Sequence, residues 1–135
     1  MDFNLSDKQA KLQEAARGLL AEEFSTEAMR AAEQSDAGFA RDIWDAGVTQ
    51  GWAGMTVAAE FGGQGESLLD ACVMLEEIGR AGATLPLVAS SGLAAAILQR
   101  APQSAQRDKC LIDIAAGKIM APALMDEQGR NEWDA

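Results

Sequence analysis

The chain has 135 residues, a mass of 14.2 kDa and a formal net charge of −10, which fits one domain. The acidic balance argues against a nucleic acid partner, because like charges repel, and no apolar run approaches the roughly 20 residues that a membrane span requires. The sequence contains no histidine, which excludes Ser-His-Asp and Cys-His nucleophile systems.

Composition favours an all-α fold. Alanine, leucine and glutamate are plentiful, tyrosine is absent, and valine and isoleucine are sparse. The first helix starts at a capping box, Ser6 to Gln9, and ends near Phe24. It carries an apolar stripe at helical spacing, formed by Leu12, Ala16, Leu19 and Leu20. We predict up to six helices in an orthogonal or up-down bundle.

The remaining helices follow the same signals of capping and periodicity. They are predicted at Thr26 to about Glu33, Phe39 to Thr49, Ser67 to Gly82, Ala83 to Arg100 and Ser104 to Ala116. The expected buried row of the helix capped by Ser67 consists of Leu68, Cys72, Leu75 and Ile78. Cys72 and Cys110 are interpreted as reduced thiols, which, together with a start unlike a signal peptide, predicts a cytoplasmic protein.

A glycine-rich loop at residues 51–65 separates the third and fourth predicted helices. It holds five of the chain's 13 glycines, a density that no helix tolerates. Trp52, Met55, Val57 and Phe61 alternate with these glycines, so we interpret the loop as buried packing. A phosphate cradle is the weaker alternative, because neither a lysine at P-loop spacing nor a preceding strand is present.

Residues 83–100 form the most apolar stretch and are expected to be the central buried helix. Ser90 and Ser91 place hydroxyls inside it. Either these hydroxyls bond back to helix carbonyls in close packing, or they line the wall of a ligand cavity. After Gly117 the pattern changes, because residues 118–125 resemble a strand and residues 126–130 a turn. This predicts a helical domain at 1–117 and the start of a β-domain at 118–135.

Three segments together resemble the N-terminal α-helical domain of acyl-CoA dehydrogenases. The first is Gly-Trp-x-Gly-Met-x-Val-x-x-Glu-Phe-Gly-Gly-x-Gly at residues 51–65. The second is Leu-Glu-Glu-Ile-Gly-Arg-Ala at residues 75–81, and the third is Gly-Lys-Ile-Met-Ala-Pro-Ala-Leu at residues 117–124. Their order and spacing match the family over essentially the whole chain.

The resemblance implies a flavoenzyme that oxidises the Cα–Cβ bond of an acyl-CoA thioester. In this family a glutamate removes the α proton, FAD takes the β hydride, and an electron-transferring flavoprotein reoxidises the FAD. The base belongs to the C-terminal helical domain, so Glu60, Glu76 and Glu77 are interpreted as solvated or helix-capping charges. A homo- or hetero-oligomer completes each site in the family.

Site residues are carried over position by position. The resemblance implies flavin contacts from Ala123, Met125 and Asp126, and it implies an acyl cavity partly walled by Leu85, Ser90 and Ser91. Family members usually have threonine and proline where this chain has Asp126 and Gln128. A carboxylate at the first of these positions would disfavour a reduced, anionic flavin.

Two functions follow from the resemblance. The chain is either the N-terminal domain of an acyl-CoA dehydrogenase, inactive by itself, or a non-catalytic subunit that serves as an interaction module in a heteromeric complex. An unrelated helical bundle is a third interpretation, and the apolar run from Ile119 to Met125 argues against it. Under the first two interpretations, we expect an exposed apolar face along Leu85 to Leu98 and along the last strand.

Overall fold

A computed structural model describes residues 4–123 and residue 125. Six α-helices follow one another: α1 Asp7–Glu23, α2 Thr26–Gln34, α3 Arg41–Thr49, α4 Leu68–Ala81, α5 Ala95–Arg100 and α6 Ala105–Ala115. A 3₁₀ turn covers Ala59–Phe61, and a π-helix at Val88–Ala94 leads directly into α5. The predicted all-α class is confirmed. Across the described residues, no helix is both long enough and apolar enough to cross a membrane.

Helix starts follow the local capping signals closely. The predicted capping box of Ser6 with Gln9 is present at α1, and the predicted cap Ser67 forms a full capping box with Asp70 at α4. Ser104 caps α6 as predicted. Two starts differ, because Ser25 rather than Thr26 caps α2, and α3 begins at Arg41 rather than near Phe39.

The core consists of two apolar clusters. The first joins α1, α3, α4 and the first half of the glycine-rich loop, and includes Leu20, Trp44, Trp52, Met55, Met74 and Leu87. The second joins the loop to the π-helix, α5 and α6, through Val57, Ala94, Ala95, Leu111 and Ile114. The loop therefore contributes side chains to both clusters, which confirms its interpretation as buried packing.

The predicted buried row of α4 is confirmed at Ile78, partly at Leu75, and is wrong at Leu68 and Cys72. Leu68 is 68% exposed and Cys72 is also exposed. The buried residues of α4 are Asp70, Ala71, Val73, Met74, Glu77 and Ile78. This face is selected because two of its acidic side chains find partners on α1, and an apolar stripe alone does not reveal such partners.

The stretch at residues 83–100 is not buried all round, contrary to expectation. Val88, Leu93 and Ile97 are 53%, 48% and 45% exposed. They lie about one helical turn apart and therefore share one face. The opposite face enters the two core clusters. The expected exposed apolar face is thus present along this stretch, whereas Ile119 and Met120 of the expected last strand pack against the core clusters.

Residues 118–123 and residue 125 form no β ladder. Backbone pairing needs a second strand, and the described residues contain none. The predicted turn at 126–130 lies outside the described residues. The division into domains at residues 117 and 118 stays a prediction.

Candidate functional site

The glycine-rich loop is closed by its own backbone. The amides of Gln64, Gly65 and Glu66 donate to loop carbonyls at 2.9, 2.8 and 2.8 Å. Gly62 and Gly63 also donate within the loop, at 3.0 and 3.3 Å. Amides that are already bonded cannot cradle a phosphate, so the loop acts as a structural element.

The π-helix is joined to this loop through Ser91. Its hydroxyl donates to the carbonyl of Ala53 at 2.7 Å, and its own carbonyl accepts from the Thr56 hydroxyl at 2.6 Å. In a regular helix that carbonyl would accept from the Ala95 amide, which here donates to Ser90 and Gly92. The wide turn of the π-helix leaves the carbonyl of Ser91 without its usual partner, and the hydroxyl of Thr56 donates to it instead.

Gln99 on α5 forms a second link to the loop. Its amide nitrogen donates to the carbonyl of Thr56 at 3.2 Å, and its oxygen accepts from the amide of Ala58 at 3.1 Å. One side-chain amide thus satisfies both a donor and an acceptor of the loop backbone, as a neighbouring strand would. The sequence indicated nothing of this role, since Gln99 looked like an ordinary polar residue near a helix end.

A small apolar recess lies between the loop, α4 and the π-helix. Its volume is about 20 Å³, and its lining includes Trp52, Met55, Leu75, Leu87 and Ser91. On this measure a cavity of about 10–15 Å³ holds one water molecule, so the recess has room for about one water and by itself holds no acyl chain. The recess can form one apolar wall of a longer cavity, and a further surface would be needed to complete that cavity.

The predicted substrate-side residues occupy different places. Ser91 borders the recess, whereas Leu85 is half-buried against the first core cluster. Ser90 is fully buried, and its hydroxyl accepts from the amide of Met120 at 3.2 Å. Neither serine bonds back within its own helix as expected from close packing, because both bond to other segments.

The predicted flavin-side residues lie beyond the helices. Ala123 is exposed and Met125 is 66% exposed. Asp126 lies outside the described residues, so the expected effect of its carboxylate stays a prediction. Across the part of the chain that the structure describes, no group of three or more cysteine, aspartate or glutamate side chains is arranged to hold a metal ion.

Glu77 is not the solvated charge that the sequence suggested. Its side chain is 3% exposed and accepts from Arg17 at 3.0 and 2.8 Å and from Arg80 at 3.2 and 3.1 Å. The hydrogen bonds from Arg17, followed by those from Arg80, lower the pKa of Glu77 to about 2. The spacing of Glu77 and Arg80 at i and i+3 was the available signal, but the partner on α1 is 60 residues away.

Comparison with known proteins identifies the family. The profile described as "Acyl-CoA dehydrogenase, N-terminal domain" matches residues 6–118. "Acyl-CoA dehydrogenase IpdE2" of Mycolicibacterium smegmatis is 34% identical over 114 residues, which cover 84% of this chain and 35% of that protein. "Acyl-CoA dehydrogenase IpdE2" of Mycobacterium tuberculosis is 31% identical over 121 residues, which cover 89% and 37%. The chain thus spans about a third of the length of these curated relatives.

Solved structures share the fold. The protein described as "Tcur3481-Tcur3483 steroid ACAD G363A variant" superposes with a TM-score of 0.72 at 28% identity, covering 82% of this chain and 30% of that one. The ChsE4-ChsE5 complex from Mycobacterium tuberculosis superposes with a TM-score of 0.70 at 24% identity, covering 87% and 30%, and bears on the fold alone. The chain belongs to the acyl-CoA dehydrogenase family, in which it corresponds to the N-terminal helical domain.

Proposed function

We propose that this chain is the N-terminal helical domain of an FAD-dependent acyl-CoA dehydrogenase that introduces a Cα–Cβ double bond into an acyl-CoA thioester. The observation that carries the proposal is the profile match over residues 6–118, together with relatives that are named acyl-CoA dehydrogenases. The domain alone is inactive in this proposal, because the family's base and most of its flavin contacts belong to other domains.

The surroundings of Glu60, Glu76 and Glu77 support an inactive isolated domain. Glu77 is held in two ion pairs with arginines, and it therefore lacks a free carboxylate oxygen for proton abstraction. Glu60 and Glu76 are exposed and do not face the apolar recess. A general base must lie within hydrogen-bond reach of the proton that it removes.

The residues after α6 fit a contact at the edge of a flavin. Ala123 and Met125 are exposed, so their backbone and side chains are accessible to a group outside the helical bundle. When bound, FAD supplies the acceptor for the hydride that leaves the β carbon. The contribution of this chain is a contact at the edge of the flavin, and Asp126 is the next candidate for such a contact along the sequence.

The apolar recess is the proposed contribution to substrate binding. Ser91 borders this recess, whereas Leu85 packs against the first core cluster and the hydroxyl of Ser90 accepts from the amide of Met120. The relative described as a steroid ACAD and the relative named "L-prolyl-[peptidyl-carrier protein] dehydrogenase", from Serratia, differ in substrate. They define the classes of acyl group to be tested.

Partners and location belong to the same proposal. An acyl-CoA thioester is the substrate, and an electron-transferring flavoprotein is the electron acceptor. The steroid ACAD carries a name with two components, Tcur3481 and Tcur3483, which supports a homo- or hetero-oligomer here. A cytoplasmic location rests on the two thiols and on a start that is unlike a signal peptide.

The second candidate function is a non-catalytic subunit that pairs with a competent one. It is favoured by Asp126 and Gln128, which stand where the family usually has threonine and proline. A carboxylate beside the flavin would oppose the negative charge of the reduced cofactor. In this function the helical domain is retained as an interaction module.

The test is a visible absorption spectrum of the protein expressed from the complete reading frame that contains these residues. We expect a flavin band that bleaches when one thioester of a panel is added without oxygen. The panel contains straight-chain, branched and steroid-linked acyl-CoA thioesters, with a prolyl-carrier thioester as the outlying class. A flavin-free protein would contradict the dehydrogenase proposal and favour the non-catalytic subunit.

We expect the 135-residue chain to self-associate through the apolar face formed by Val88, Leu93 and Ile97. Contiguous exposed apolar surface drives association and binds hydrophobic dyes. Replacing Leu93 and Ile97 together by glutamine should shift the chain towards monomer in sedimentation velocity and reduce dye fluorescence at least about twofold.

Ile112→Gln is the matched control for this face. Ile112 is 52% exposed but lies on α6, outside the helical turns that carry the other three residues. This variant should associate like the unmodified chain. An unmodified chain that sediments as a monomer and binds no dye would contradict the prediction.

A further inference from the structure

The segment that leaves α6 is held at its first residues by a helix-terminating motif. The amide of Gly117 donates to Ile114 at 2.9 Å, and the amide of Lys118 donates to Asp113 at 2.9 Å. With Gly117 at φ +95°, this is the pattern of a Schellman motif. The indole of Trp44 on α3 then donates to the carbonyl of Gly117 at 3.1 Å.

Ser90 holds the next residues of the same segment. Its hydroxyl accepts from the amide of Met120 at 3.2 Å and lies 3.5 Å from the carbonyl of Lys118, to which it can donate. One hydroxyl thus contacts both a backbone donor and a backbone acceptor, which lie two residues apart. Ser90 has no exposed surface, so its hydroxyl is inaccessible to a ligand in solution.

The side chains between these contacts pack in two directions. Ile119 packs against the first core cluster, and Met120 packs against the second. The segment therefore belongs to the packing of the helical bundle, although it lies beyond the last helix. Its position is defined from α3, from α6 and from the π-helix.

We propose that Ser90 is a positioning residue, whose buried hydroxyl fixes residues 118–120 and thereby sets the direction in which the chain reaches Ala123 and Met125. Ala123 is three positions beyond Met120, a distance of at most about 10 Å in extended chain. A fixed start over so short a distance restricts where the flavin-side residues lie. This inference rests on the proposed flavin function, and it assigns Ser90 to the cofactor side rather than to the acyl cavity.

The test compares Ser90→Ala with Ser25→Ala. Ser25 caps α2, where its hydroxyl accepts from the amide of Ala28 at 3.1 Å. Both variants lose a hydroxyl that accepts from a backbone amide, but only Ser90→Ala affects the segment after α6, where it also removes the contact with the carbonyl of Lys118. FAD affinity is measured in the protein from the complete reading frame, and exchange of the Met120 amide is measured in the 135-residue chain.

Ser90→Ala should weaken FAD binding about fivefold, the effect of one lost hydrogen bond, and speed exchange of the Met120 amide by at least the same factor. Ser25→Ala should change neither value. Ser90→Cys keeps a weak donor and a weak acceptor on a larger atom, so intermediate values are expected for both measurements, and this variant provides the test if Ser90→Ala does not fold.

The outcomes separate the inference from the function on which it rests. If the unmodified protein binds FAD and Ser90→Ala binds it as tightly as Ser25→Ala does, the positioning role is wrong and the flavin function stands. If the unmodified protein binds no FAD, both are overturned. A Met120 amide that exchanges equally fast in the unmodified chain and in Ser90→Ala also overturns the positioning role.

Discussion

Gly63→Ala is expected to destabilise the domain by about 3 kcal/mol or more, because the site has no room for a methyl group. A Cβ at Gly63 would overlap the carbonyl oxygen of Val57 and would lie 2.6 Å from its carbonyl carbon. The obstacle is backbone, which cannot rotate away as a side chain can. Val57 has no exposed surface and lies in the second core cluster, so the displacement would spread into that cluster. Urea denaturation followed by the fluorescence of the buried Trp44 and Trp52 measures the change.

Gly79→Ala is the matched control for this substitution. Gly79 lies inside α4, and a Cβ there would meet no atom within 4 Å. Alanine is the better helix former, so this variant should be more stable by up to about 1 kcal/mol. The same chemical change is therefore expected to have opposite signs at the two sites. A Gly63→Ala protein within about 1 kcal/mol of the unmodified chain would falsify the prediction.

Glu77→Gln is expected to lower stability at pH 7 by about 2 kcal/mol. Removing one partner of a buried ion pair usually costs more, but Arg17 and Arg80 are 53% and 56% exposed and can regain water. The loss of stability is therefore smaller than it would be if the two arginines were fully buried. Urea denaturation at pH 7 gives the value.

The pH dependence provides a second readout of the same residue. Hydrogen bonds from Arg17 lower the pKa of Glu77 from 4.5 to about 2 in the folded state. The stabilisation is therefore complete above the unfolded pKa and is lost as the pH falls from about 5 to 2. Hydrogen bonds from Ser67 and Gln9 also lower the pKa of Asp70 to about 2, so Asp70 titrates over the same range. Glu77→Gln should reduce the acid-induced loss without abolishing it.

The neighbouring Glu76→Gln substitution controls for the change in net charge. Glu76 is exposed on α4, so its replacement should alter stability by no more than about 0.5 kcal/mol. An equal effect of the two substitutions at pH 7, or an unchanged acid profile in Glu77→Gln, would show that the ion pairs contribute no stability.

Local sequence was sufficient for the features that depend on near neighbours. The capping boxes at Ser6 and Ser67, the cap at Ser104 and the helix stop at Gly117 each involve residues within a few positions of one another. Propensity and capping act locally, so their signals are complete in a short stretch of sequence. The order of the three family segments could likewise be recognised from the sequence alone, and the profile match over residues 6–118 confirms the family.

Tertiary packing was needed to establish which face of α4 is buried and what the polar groups inside the fold contact. Asp70 and Glu77 are buried because Gln9 and Arg17 on α1 meet them from 61 and 60 residues away. Ser90 likewise bonds to a segment 30 residues further along the chain. Burial of a polar side chain is favourable only where a partner satisfies it, and packing, rather than local sequence, places that partner.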